Sequence, residues 1–482
     1  MPAAEQDMLK RSLKPRHIQM IALGGVIGTG LFYGSAEVIQ LAGPAAILAY
    51  LLGGIIIYFI MRMLGEMAVE TPVSGAFSFY AYEYWGPLPG FIAGWNYWFL
   101  YILVSMAELT VIGLYLDYWI EIAHWKTSLI VLLVVTGINL IHVRFFGECE
   151  FWISFLKILA VIGMIVFGLV IVLAGLGDGQ AGISNLWQHG GFFPHGLTGI
   201  LLATTVVMFA FGGTELIGVT AGEASDPQKS IPKAISKVIW RILVFYIGSI
   251  AIIMMLGPWQ KVASNASPFV TIFETIGLPA AGHILNFVVI IAAISVYNSG
   301  IYANGRMLYS LACQNNAPHF FAKLNHRQVP ARAVIFSSLC TAIIVAINYL
   351  IPDNAFMRIL ALATAAAAIT WIMIIIGHLK FRAHQRQTKK ASHYPFGLAP
   401  FANYLCLVFF ASLFIIMLIS GLRENGLMTR MMQIIAYEPP TLIGLIPEQM
   451  PDMSLAVIIM PLWCLLLFIF YKIKKLKPNR PV

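Results

Sequence analysis

Three ionisable residues stand inside long apolar runs: Glu108 in Ala107-Glu108-Leu109, Lys157 in Phe155-Leu156-Lys157, and Glu215 after Gly212-Gly213-Thr214. Each costs about 3 kcal/mol or more near the middle of a bilayer, so each is a functional candidate by default. A low-dielectric setting penalises the charged form of each, which suits groups that exchange protons near neutral pH. The plainer alternative is an internal ion pair that only holds helices together. Lys157 could also snorkel, because it lies two or three turns from a span end.

Two glycine-rich stretches offer a different chemistry, carried by the main chain. Leu23-Gly24-Gly25-Val26-Ile27-Gly28-Thr29-Gly30 lies in the middle of the first apolar segment. Each glycine costs up to about 1 kcal/mol relative to Ala in a helix. In hydrocarbon, broken helix is tolerated only where protein or a water-filled cavity surrounds it. The stretch therefore reads as two half-helices with unwound backbone between them. The second half, from about Leu31, aims its first N–H groups back at the break and forms an anion site without a charged side chain. Gly24 and Gly28 alone also fit close helix packing. A phosphate loop is excluded by the absence of a following Gly-Lys-Ser/Thr.

The second stretch, Met208-Phe209-Ala210-Phe211-Gly212-Gly213-Thr214-Glu215-Leu216, interrupts another apolar segment near its middle. The end of its first half leaves carbonyls that suit a cation. One break for an anion and one for a cation together fit a zwitterion, the backbone of an α-amino acid. Phe209 and Phe211 could close over it as an apolar gate, or simply pack.

The elements that must position these groups are membrane helices. The chain has 482 residues, 59% hydrophobic and 11% charged; soluble domains average about 25% charged. Twelve spans are legible, at 18–39, 45–67, 89–119, 128–146, 149–174, 197–221, 236–256, 279–311, 333–351, 356–379, 400–421 and 455–474. An even number puts both termini on one side. Lys and Arg cluster on that side, in 10–16, 229–241, 306–332, 380–390 and 472–480, while the other side carries only Lys126, Lys261, Arg358, Arg423 and Arg430. The positive-inside rule makes that side cytoplasmic. The net charge of +9 is thus a topology signal and gives no reason to expect nucleic acid. Span six runs opposite to span one, the arrangement of an inverted-repeat transporter with a midplane site. Residue-level similarity between the halves is not visible.

The remaining features are less informative. No cleavable signal peptide is expected. The five cysteines are scattered without disulfide or zinc spacing, and no metal or cofactor is expected. His142, His326, His384 and His393 fall in loops or at span ends and read as solvated, as do His283 and His378. The stretch 72–80 reads as an interfacial or re-entrant helix or a plain linker. The stretches 175–196 and 422–454 read as external loops, the latter limited by its prolines.

Several motifs resemble the bacterial amino acid permeases of the amino acid–polyamine–organocation superfamily, with the nearest likeness to proline-, threonine- and aromatic-type permeases. They are Arg16-His17-Ile18, Gly25-Val26-Ile27-Gly28-Thr29-Gly30-Leu31-Phe32, Ala42-Gly43-Pro44, Met61-Arg62-Met63-Leu64-Gly65-Glu66-Met67, Gly147-Glu148-Cys149-Glu150-Phe151-Trp152, Gly213-Thr214-Glu215-Leu216 through Gly222-Glu223-Ala224, Asp226-Pro227 with Ser230-Ile231-Pro232, and Asn298-Ser299-Gly300 with Arg306-Met307-Leu308-Tyr309. The likeness spans Leu13 to about Lys390.

This resemblance implies an all-α integral membrane fold of about twelve transmembrane helices. It would be a five-plus-five inverted repeat with two extra C-terminal helices, and with helices one and six discontinuous. The implied divisions are a tail 1–17, a core 18–379 with halves 18–174 and 197–379, a loop 380–399, two further helices in 400–474 and a tail 475–482. By similarity, Gly28, Thr29 and Gly30 hold the substrate carboxylate and carbonyls of Phe209, Ala210 and Gly212 hold its ammonium, with Ile27 and Phe211 also counted at the substrate site. Lys157 stands where sodium-coupled relatives bind their ion, and Glu215 matches an acidic position after the second break. Tyr297 and Asn298 shape the side-chain pocket.

The expected activity is secondary import of a neutral amino acid by proton symport in the bacterial cytoplasmic membrane, not an enzymatic reaction. Lys157, Glu215 and Glu108 are the coupling and gating candidates. Its partners are the amino acid, the proton and the lipid bilayer; the oligomeric state is open. An exchanger of the same fold, or a membrane sensor that binds without transporting, are the alternatives.

Overall fold

The computed structural model describes every residue except 1–15, 18, 21–26, 74, 142, 176–180, 263–266, 276–278, 351–354, 425–453 and 477–482. Gly24 and Gly25 of the first break, and most of the 422–454 loop, lie outside the described residues.

The described residues form helices joined by short turns. Seven helical runs are long and apolar enough to cross a bilayer: Thr29–Glu70, Pro87–Leu116, Phe145–Ala174, Pro227–Leu256, Ala280–Cys313, Phe356–Thr388 and Phe401–Ser420. Gly196–Ala210 and Ala331–Ile347 are shorter apolar helices. The first run has 42 residues, about 60 Å at 1.5 Å per residue, twice the thickness of a hydrocarbon core. It is divided at Gly43-Pro44-Ala45, where a 3-10 turn forms and Gly43 has φ +58°. Such a backbone favours glycine. Proline opens several helices, among them Pro87–Leu116 and Pro227–Arg241, where its missing N–H is harmless.

At the centre, Pro279–Cys313 and Ala355–Thr388 both pack along Pro87–Leu116, and Gly196–Ala210 packs on Gly34–Ala42. These central helices bury residues around most of their circumference, whereas Val143–Ala174 exposes one face rich in Leu, Val and Phe. The segment after Pro72 is a real helix, Ala76–Tyr84, packed on Pro87–Leu116 and Ala355–Thr388.

The structure corrects three readings of charge. His378 is fully buried, not solvated; its Nε2 lies 3.0 Å from Glu66 Oε2 and its Nδ1 3.0 Å from Asn403 Nδ2. Asn403 Nδ2 also donates to the Ile375 carbonyl, so His378 Nδ1 accepts and Nε2–H donates to Glu66. Arg241 and Arg306, counted among the loop cations, are also fully buried. Arg306 Nε donates to Glu223 Oε1 at 2.9 Å.

Candidate functional site

The described part of the first break begins in extended backbone. Gly28 has φ −139° and ψ −158°, and helix starts at Thr29. The first helical bonds run from the Leu31 and Phe32 N–H groups to Gly28 O, both at 3.1 Å. The amides of Thr29 and Gly30 therefore lie in the first turn, where helical N–H groups lack intrahelical acceptors. The Thr29 hydroxyl donates to Glu108 Oε1 at 2.8 Å.

The second break follows the helix Gly196–Ala210. Residues 211–215 form turns, and helix resumes at Leu216–Val219. Gly213 has φ +92°, a conformation that L side chains rarely adopt. Its N–H donates to Glu215 Oε1 at 3.2 Å, folding the carboxylate back over the break. Tyr101 OH and Trp371 Nε1 donate to the two Glu215 oxygens, each at 3.4 Å.

The next span braces this break from behind. Immediately after Arg241 it passes through a π-helical segment, Ile242–Gly248, whose i→i+5 winding is rare and recurs at functional sites. That winding brings residues five apart to one side. Arg241 donates to Thr214 Oγ1 at 3.0 Å, and Tyr246 OH donates to Ala210 O at 2.8 Å. Phe209 O accepts from Gly212 N–H at 2.9 Å. A carbonyl has two lone pairs, so both oxygens keep acceptor capacity for a cation.

The two breaks touch. A Cβ placed on Gly30 would fall 2.6 Å from Ala210 Cα. Between them lies a cavity of about 30 Å³. Its walls include Gly28, Gly30, Glu108, Phe209, Ala210, Gly212 and Glu215. Ile27 and Thr29 are not among its lining residues: Ile27 O accepts from Lys157 Nζ, and Thr29 reaches the wall only through its hydroxyl bond to Glu108. Phe211 is placed elsewhere, packed against Tyr50 and Tyr246 with ring centroids 6.3 and 4.6 Å away.

On the helix Pro279–Cys313, Val296 and Ser299 reach the wall. They are three apart and share a face. Tyr297 is fully buried off the wall, and Asn298 accepts from Asn139 Nδ2 at 2.8 Å. On this turn of helix it is the neighbours Val296 and Ser299, and not Tyr297 or Asn298, that line the cavity.

Lys157 lies behind the first break. Its Nζ donates to Ile27 O at 3.1 Å and to Ser295 Oγ at 2.9 Å. The Ser295 hydroxyl donates to Glu150 Oε1, which also accepts from Ser154 Oγ at 3.1 Å. Sequence reasoning did not single out Glu150 or Arg241. For Glu150 a signal existed: Glu150, Ser154 and Lys157 follow i, i+4, i+7 spacing and share one helix face.

Comparisons with known proteins show the family. The Amino acid permease family model matches residues 17–478. The chain is 46% identical over 470 residues, 97% of this chain and 96% of the relative, to the "Aromatic amino acid transport protein AroP" of Escherichia coli K12. The AroP protein of Salmonella typhi is similar to the same degree over the same shares. The "Uncharacterized amino acid permease YtnA" of Bacillus subtilis strain 168 is 44% identical over 97% of this chain and 95% of its own length. The chain therefore belongs to the amino acid permease family, multi-pass membrane proteins that transport amino acids and are not enzymes.

Proposed function

We propose that this chain imports an uncharged amino acid of the aromatic class by proton symport, with alternating access across the bacterial cytoplasmic membrane. Both termini are cytoplasmic in this reading, and twelve spans form a five-plus-five inverted repeat with two further helices. The observation that carries it is the contact of Gly30 with Ala210, which sets a helix N-terminus and a helix C-terminus on one cavity. The first suits a carboxylate and the second an ammonium.

The side-chain end of the cavity is apolar, with Leu100, Val104, Phe209, Val296 and Ala367. No Lys, Arg or His is among its described lining residues, which argues against an anionic side chain, and the two wall carboxylates already have protein donors, Thr29 for Glu108 and Gly213, Tyr101 and Trp371 for Glu215. The relatives named for aromatic amino acid transport support the aromatic class. A cavity of about 30 Å³ holds only a water or two, so the walls must part to admit an amino acid, as alternating access requires.

Proton coupling rests on Lys157. Its ammonium bonds the backbone at the first break and faces two buried carboxylates, Glu150 and Glu108. Loss of its proton would weaken the bond to Ile27 O, which would no longer be charge-assisted, and change the break's electrostatics.

The reading is tested in proteoliposomes with labelled phenylalanine, tyrosine and tryptophan against a panel of unlabelled amino acids. An imposed pH gradient, acid outside, should drive accumulation with no substrate inside. A requirement for internal substrate would favour exchange instead. Lys157→Ala should lower gradient-driven accumulation by about tenfold or more, the scale of one proton-transfer group. Unaltered accumulation would assign Lys157 a structural role.

A further inference from the structure

Glu150 is fully buried and lies off the cavity wall. It stands two turns before Lys157 on Val143–Ala174, on the same helix face. A long side chain on a helix leans toward the helix N-terminus, which carries Lys157 toward Glu150. The two do not rely on direct contact alone: the Ser295 hydroxyl, from Pro279–Cys313, accepts from Lys157 and donates to Glu150. A hydroxyl can accept and donate at one and the same oxygen. A line of hydrogen-bonded groups thus runs from Ile27 O, at the first break, to a carboxylate beyond the cavity.

We propose that Glu150 receives the coupled proton from Lys157 through the Ser295 hydroxyl. This rests on the proton-symport reading above. An Nζ–H bond breaks as a new Ser295 O–H bond forms, and the original Ser295 O–H bond breaks as the Glu150 O–H bond forms. An ammonium–carboxylate pair becomes an amine–carboxylic acid pair. The sum of charge in the buried cluster is unchanged, so the step leaves no isolated ion in low dielectric.

Rotation of the Ser295 hydroxyl then resets the line. The Nζ–Oγ and Oγ–Oε1 distances are 2.9 and 2.5 Å, so the proton advances by less than about 6 Å, from beside the first break toward the start of the Val143–Ala174 helix. Among the described residues, the titratable groups on which Glu150 acts include Lys157 and Cys149 on its own helix. The helix packed against it presents Ser295 there, and that helix's Arg306 is held by Glu223.

The test uses Glu150→Gln, Ser295→Ala and Ser295→Thr in proteoliposomes with labelled phenylalanine. One readout is accumulation driven by an imposed pH gradient. The other is counterflow, in which labelled and unlabelled substrate exchange without net proton movement. Glu150→Gln and Ser295→Ala should lose about tenfold or more of accumulation while counterflow stays within about threefold of wild type. Ser295→Thr, which keeps the hydroxyl, should retain accumulation.

Wild-type accumulation in Ser295→Ala or Glu150→Gln overturns the proposal while leaving symport intact. Equal loss of both readouts in Ser295→Ala also overturns it, by marking a structural role. If Glu150→Gln fails to fold, Ser295→Ala decides, since it leaves both charges in place. A wild-type protein indifferent to the gradient removes the symport reading, and this proposal with it.

Discussion

Gly30→Leu should eliminate amino acid binding and uptake, and Gly30→Ala should weaken both. The Ala210 backbone occupies the space a side chain at residue 30 would need: its Cα and N would lie 2.6 and 3.1 Å from the new Cβ. Backbone on both sides cannot rotate out of the way as a side chain can. Overpacking of this kind costs about 1–3 kcal/mol, which corresponds to roughly five- to 150-fold in affinity if it falls on the bound geometry. Leucine adds three more carbons and drives the two breaks apart.

The measurement is substrate-induced thermal stabilisation alongside uptake. Gly137→Ala and Gly163→Ala are the controls, because a Cβ at either meets nothing within 4 Å. They should match wild type or gain slightly, as Gly-to-Ala changes do at compatible helical sites. Wild-type affinity in Gly30→Leu would mean that the contact between the breaks does not form the binding site.

The same two breaks were the most legible feature of the sequence, and the reason is physical. Paired glycines are costly in a helix and conspicuous in hydrocarbon, so Gly212-Gly213 marks the stop at Ala210 and the turns through Glu215. Glu108, Lys157 and Glu215 were legible because an ion inside an apolar run has no cheap explanation. Arg241, Arg306, Glu223 and His378 were not. They stand near span ends, where charge ordinarily means a loop, and only tertiary packing shows that other helices cover them. Side-chain direction was equally hidden. A helix wall is chosen by a rotation of about 100° per residue, so Tyr297 and Asn298 stand next to Val296 and Ser299 in sequence while only the latter two line the cavity. The gate expected of Phe211 is absorbed into packing with Tyr50 and Tyr246, where it helps seat the π-helical segment behind the break.

The buried pair Arg306–Glu223 carries the other large expected effect. The two side chains are 2% and 1% exposed, and the guanidinium also sits 4.0 Å from the Tyr302 ring centroid. Phe146 stacks on the far side of that contact, 4.2 Å from the Tyr302 ring. Arg306→Ala leaves Glu223 buried without its cation, a change that costs about 3–5 kcal/mol. It should lower the yield of folded protein and the unfolding midpoint together. Replacing both partners, as Arg306→Met with Glu223→Gln, should recover most of the loss, since an uncharged pair carries no unpaired ion.

The pair joins the short 3-10 segment after the second break, Thr220–Glu223, to the helix that presents Val296 and Ser299. It ties that helix directly to the segment that follows the break. The double variant should therefore fold well and still bind its amino acid more weakly than wild type. A double variant with wild-type affinity would confine the bridge to stability, and an Arg306→Ala protein as stable as wild type would show that Glu223 finds another partner.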